Sequence, residues 1–188
     1  MLARQPVTRF TVAEYVAIES ASAERHEYWH GELFARGGGP LEHSAVAQQV
    51  GSQLEQALRD RPCIAFQSDA RVAVLANGQY FYADAFVACA PILYDPQDAL
   101  ACANPTVIVE VLSPSTKDYD RGPKLEAYCL NPHARDILLI DVEARSVEHW
   151  TRGPAGWGKV VHKGGAVPLQ LGAEIQVEAL WSKLDLLG

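Results

Sequence analysis

The chain has 188 residues, a length that fits one domain, and its 48% hydrophobic content excludes a disordered protein. A net charge of -7 excludes a protein that coats nucleic acid by neutralising its phosphates, though not an enzyme that meets nucleic acid at one local site. No apolar run approaches the roughly 20 residues needed to cross a membrane, and residues 1–10 lack the apolar core of a signal peptide, so a soluble cytoplasmic protein is expected.

Taken in chain order, Thr11-Val-Ala-Glu14 has capping-box spacing and opens a short helix through about Ser20. Glu27–Phe34, with aromatic residues around Gly31, reads as an extended segment or hairpin. Gly37-Gly-Gly-Pro40 is a flexible break, with no Gly-Lys-Ser/Thr after it to make a phosphate loop. From Glu42, Val46, Val50, Leu54 and Leu58 recur every four residues and predict an amphipathic helix of about five turns, stopped at Arg61-Pro62. Strands are predicted over Cys63–Ser68, Arg71–Leu75 and Tyr80–Cys89, with a hairpin turn at Asn77-Gly78. A loop spans Ala90–Pro105. Thr106–Leu112 is β-branched almost throughout, as a strand buried on both faces would be. Asp120–Leu130 reads as helical and ends at Asn131-Pro132. Asp136–Asp141, Ser146–Thr151 and Lys159–His162 read as strands. The whole is one mixed α/β domain over 1–188.

The four cysteines, at 63, 89, 102 and 129, show neither a zinc spacing nor a disulfide framework. Cys63 and Cys89 lie in apolar runs and read as small buried hydrophobes.

Two charges stand where apolar residues are expected. Glu110 interrupts the apolar strand Val107–Leu112, and Asp84 interrupts Tyr80–Val87. A buried carboxylate needs a partner or a metal. Each also has a plain alternative, an edge position facing water or a salt bridge to an arginine. After Glu110 the strand stops at Ser113-Pro-Ser-Thr116. The next helix then returns Lys124 and Tyr128, four apart and so on one face. Two carboxylates with a nearby ammonium suit a hard cation and a phosphate.

The run Ile108-Val-Glu-Val-Leu-Ser-Pro-Ser-Thr116, followed by Asp120, Lys124 and Tyr128, resembles the signature of the Uma two family of restriction-endonuclease-like proteins. The likeness extends upstream to Phe10–Tyr15, Glu27-Tyr28 with Gly31-Glu32, the helix that starts at His43, and Asp84 before Val87-Ala-Cys89. It implies the fold of the PD-(D/E)XK nucleases, a central mixed β-sheet flanked by helices. It also implies Asp84 and Glu110 as ligands of Mg2+ (or Mn2+ in its place), with the Val111 carbonyl as a third oxygen. Ala83 stands where that motif has Pro, and Leu112 where it has Lys. The family commonly carries its lysine on the following helix, a position that Lys124 matches.

Glu27, at an acidic position of the family, is an auxiliary candidate, as is His43 near the start of the long helix. Each has an ordinary alternative, a surface glutamate and a histidine bonded to local backbone. His26 and His30 lack the Glu of a zinc-binding helix. Asp118 and Asp120 read as solvated turn residues or a helix cap. Ser113, Ser115 and Thr116 lack the surroundings of a nucleophile.

The expected function is a metal-dependent endonuclease acting on nucleic acid, DNA first, with a homodimer suited to cutting both strands of a duplex. Its rivals are a catalytically inactive relative that binds protein or nucleic acid, and an enzyme of another phosphate ester.

Overall fold

The structure is a computed structural model that describes residues 9–187. The reading that no leader is present concerns residues 1–8 in the main, and these lie outside the described residues.

Helix α1 (Val12–Ala21) is capped as its sequence dictates. The Thr11 hydroxyl accepts the Glu14 N–H, and the Glu14 carboxylate accepts the Thr11 N–H. Strands β1 (His26–Trp29) and β2 (Glu32–Ala35) form a hairpin. Its turn, His30-Gly31, has φ of 50° and 87°, the positive pair that a two-residue hairpin turn needs. Helix α2 (Leu41–Ala57) buries Val46, Val50 and Leu54 along one stripe. Strands β3 (Cys63–Gln67), β4 (Arg71–Val74), β5 (Gln79–Phe81) and β6 (Ala85–Cys89) follow. After β7 (Ala101–Cys102) comes the long strand β8 (Pro105–Leu112). Helix α3 (Lys117–Tyr119), a wide π turn over Asp120–Lys124 and helix α4 (Leu125–Leu130) then lead to β9 (Asp136–Asp141), β10 (Ser146–Gly153) and β11 (Gly156–His162). The chain closes with β12 (Ala166–Pro168), β13 (Glu174–Gln176), α5 (Val177–Trp181) and a 3-10 turn at Leu184–Leu187.

The fold is mixed α/β. A six-stranded sheet runs β11-β10-β9-β8-β6-β3, and a five-stranded sheet runs β2-β1-β5-β4-β7. In the larger sheet β8 and β9 are parallel, joined by the crossover through α3 and α4, and the other neighbours are antiparallel. Alternate residues of β8 serve two cores. Val107, Val109 and Val111 pack with Val46, Val50 and Leu54 of α2 and with α5. Ile108 and Leu112 face the other way, toward Leu125 and Tyr128 of α4 and Val72 and Phe81 of the smaller sheet. Burial on both faces explains why β8 shows no polar alternation. Each such side chain withdrawn from water contributes about 1.5–3 kcal/mol.

The structure corrects four expectations. The run Tyr80–Cys89 is two strands, because β5 pairs with β1 and β4 while β6 pairs with β3 and β8. The chain steps from one sheet to the other across Tyr82–Asp84. Cys63 and Cys89 are not separate buried hydrophobes; they stand directly opposite in the β3–β6 register and are joined by a disulfide. The segment Asp120–Leu130 is not one α-helix. Pro123 has no N–H to give and its ring crowds the preceding turn, so the helix widens over Asp120–Lys124 and Gly122 leaves helical geometry. Finally, the loop Ala90–Pro105 contains β7, which pairs in parallel with β4.

Candidate functional site

The alternation along β8 places Glu110 on the same side as Ile108 and Leu112, facing α4, so the edge explanation for this charge fails. The β6–β8 register pairs Ala85 with Val109. One step further brings Asp84 alongside Glu110, and the Val111 N–H donates to Asp84 Oδ2 at 2.8 Å. The step between the sheets thus sets Asp84 beside the charge on the neighbouring strand.

Lys124 returns from the π turn to the middle of this group. Its Nζ lies 3.0 Å from Glu110 Oε1, 2.9 Å from Glu27 Oε1 and 3.9 Å from Asp120 Oδ1. It also donates to the Tyr82 carbonyl at 3.5 Å. The Tyr128 hydroxyl donates to Glu110 Oε1 at 2.6 Å. Among the described residues Glu110 Oε2 makes no hydrogen bond. Asp84 is held from the other side, with Arg36 Nη2 2.9 Å from Oδ1 and His43 Nε2 3.2 Å from Oδ2. Arg36 is itself anchored, donating from Nη1 to the Ser68 carbonyl at 2.8 Å. Glu27, Asp84, Glu110, Asp120 and Lys124 are all buried, yet all line a cavity of about 380 Å³ whose rim includes Gly37–Gly39.

Four carboxylates around one ammonium leave excess negative charge, and the protonation behaviour follows. Burial raises the Glu110 carboxyl to about 8; Lys124 opposes the rise, while Asp84, Asp120 and Glu27 add to it. Burial likewise raises Asp120 against the pull of Lys124. Burial disfavours the Lys124 ammonium, but Glu110, Glu27, Asp120 and Asp84 outweigh it and raise its pKa, so it stays charged. Burial opposes ionisation of Asp84 too, yet the bond and charge of His43, Lys124 and the Val111 N–H hold it below the ordinary carboxylate range. The hydrogen bond to Asp84 raises His43.

Every candidate named from sequence reaches this place: Asp84, Glu110, Lys124, Glu27, His43 and Val111 at the cavity wall, Tyr128 behind it as the clamp on Glu110. Asp84 does meet an arginine, but one that shares the cavity with Glu110 and Lys124. Two residues escaped the sequence reading. Asp120 is buried in the cluster, not solvated, and its spacing of four before Lys124 was the available signal. Arg36 had none, since its partner lies 48 residues away. His26 and His30 are unrelated to the site: His26 Nδ1 meets Glu19 and His30 Nε2 meets Gln79. Among the described residues no three His, Cys, Asp or Glu side chains converge as a ready-made metal cage.

A family model described as "Uma2: Putative restriction endonuclease" matches residues 12–184. The chain belongs to the Uma2 family. Two relatives from Synechocystis, both described as uncharacterized proteins, are each 30% identical to it. One aligns over 80% of this chain and 78% of its own, the other over 78% and 84%. A crystal structure from Anabaena variabilis, described as "a putative nuclease belonging to DUF820", superposes with a TM-score of 0.75. It has 18% identity and covers 93% of this chain and 99% of its own, a likeness that shows the restriction-endonuclease-like fold. Among the described residues of this Uma2 chain, no helix is long and apolar enough to cross a membrane.

Proposed function

We propose that this Uma2 protein is a divalent-metal-dependent endonuclease that hydrolyses phosphodiester bonds of DNA, with Asp84, Glu110 and Lys124 as its catalytic residues. The observation that carries the reading is the convergence of Asp84, from the step just before β6, and Glu110, on the neighbouring β8, beside a buried and permanently charged Lys124.

The donor set fits a hard divalent cation. Glu110 has a carboxyl raised to about 8 by burial and surrounding acids, and its Oε2 has no hydrogen bond among the described residues, so added positive charge would be welcome there. Two carboxylates without a full cage suit Mg2+ or Mn2+, since Mg2+ keeps several waters and takes one or two carboxylates. Asp84 and Glu110 would hold the ion, with the Val111 carbonyl as a further oxygen. Once bound, the ion supplies a water of lowered pKa and offsets phosphate charge.

The chain's own groups do the remainder. Lys124, fixed by Glu27 and Glu110, presents a stable positive charge to the phosphate. Tyr128 keeps Glu110 in one orientation, and His43 and Arg36 do the same for Asp84. Cutting both strands of a duplex would call for a two-fold pair, which the single centre does not require.

A second reading is a non-catalytic binding module. It is favoured by Leu112, which lies buried in the apolar layer where the nuclease motif carries its lysine. A cleavage assay decides between them. With Mg2+ or Mn2+ the wild type should cut DNA and lose all cutting in chelator. Asp84→Ala and Glu110→Ala should each cut at least about 100-fold more slowly while remaining folded. Full activity in the double variant, or cutting without any divalent ion, would refute the endonuclease proposed here.

A further inference from the structure

Phe34 is a large apolar side chain left 37% exposed on the wall of the carboxylate cavity. The β1–β2 register places it directly opposite Glu27, so the two share one face of the hairpin, with Cβ atoms about 5 Å apart. Glu27 is the residue that grips Lys124. Arg36 follows two positions after Phe34, about 6.6 Å along an extended chain, and lines the same cavity. An aromatic ring and a guanidinium therefore line one cavity next to the carboxylates. The ring is also held in place, 6.2 Å from the ring of Trp29 and 6.0 Å from that of Tyr119. Charge points the same way. A second cavity of about 800 Å³ continues from the first past Arg36 and Gly37–Gly39. Among the described residues, the Lys and Arg side chains lining the two are Arg25, Arg36 and Lys124, and each is already paired with a carboxylate. Such walls are poor in the positive charge with which proteins hold both backbones of a duplex. Stacking on an aromatic face takes hold of an unpaired base whatever its identity.

We infer that the substrate strand enters unpaired, as single-stranded DNA, with a base stacked on Phe34 and the neighbouring phosphate at Asp84, Glu110 and Lys124. The inference rests on the endonuclease reading for what happens at the phosphate, but the stacking itself does not depend on turnover.

The test is fluorescence anisotropy of the full chain with a labelled 12-nucleotide single strand and the matching duplex, with Ca2+ in place of Mg2+. The single strand should bind at least tenfold tighter than the duplex. Phe34→Ala should lose about 5- to 150-fold in single-strand affinity, the worth of one base–aromatic stack. Phe34→Trp, which keeps a π face, should retain the affinity, and this separates stacking from any damage to the fold. Equal affinity for strand and duplex, or unchanged binding in Phe34→Ala, overturns the inference. If cleavage depends on Asp84 and Glu110 yet shows no preference for unpaired DNA, the inference fails and the endonuclease stands. If strand binding depends on Phe34 and nothing is cut, the endonuclease fails and the platform stands.

Discussion

Glu110 occupies a position where ordinary folding preference would put valine, and its surroundings decide how it titrates. Its folded carboxyl lies near 8, against an ordinary 4.5. Between those values the folded chain binds a proton that the unfolded chain has released, so metal-free stability should fall as pH rises from about 4.5 to 8 and level off beyond. His43 acts with the same sign in the upper part of the window. Its raised pKa gives stability that is present below its unfolded value of about 6.5 and is lost as pH climbs through the folded one. Urea midpoints in chelator at pH 5, 6.5 and 8 should therefore decline for the wild type and decline less for Glu110→Gln. Identical slopes would mean that Glu110 is not buried as described. The charge itself was legible in the sequence as a lone carboxylate in the apolar run Val107–Leu112, while its edge alternative stayed open until the alternation of β8 turned Glu110 toward α4. Arg36 was not, since nothing near it in sequence announces a partner 48 residues away.

Among the elements, those with strong local patterning came through: the apolar period of α2, the Asn77-Gly78 turn and the β-branched β8 are all where their residues predict. The break between β5 and β6 did not, because Tyr80–Cys89 is apolar on both sides of it and only the pairing of two different sheets divides the run. The Cys63–Cys89 bond was hidden for the same reason, depending on a long-range register. The π turn had its signal in Gly122-Pro123, outweighed in the reading by the helical spacing around it. The glycine segment before α2 has a steric duty. A Cβ on Gly39 would stand 3.0 Å from Cγ and Nδ1 of the His43 ring. Gly39→Ala should push that ring off Asp84, and the His43 pKa, followed by NMR titration, should drop toward the ordinary histidine value. An unmoved titration would show that the segment does not buttress the histidine.

At the scale of the whole molecule, the charge of -7 and the few basic side chains at the two cavities limit how strongly salt can govern binding. Among the described residues at the cavities, Arg25, Arg36 and Lys124 would engage at most three phosphates under the proposed reading, so the slope of log K against log salt for a single strand should be no steeper than about -2. Anisotropy titrations across salt concentrations measure it directly. A slope near -6 would require a basic surface elsewhere. The fold itself, a mixed sheet with α2 and α5 on one face and α4 on the other, turns the even-numbered side of β8 toward the layer where Lys124 waits.

The account stands or falls on whether Asp84 and Glu110 share one hard cation, and a crystal structure of the protein grown with Mn2+ tests this most directly. One ion should lie about 2.0–2.3 Å from an oxygen of each carboxylate, with waters completing its shell. Manganese bound elsewhere, or Asp84 still closed against Arg36 and His43 with no ion beside Glu110 at saturating Mn2+, would contradict it.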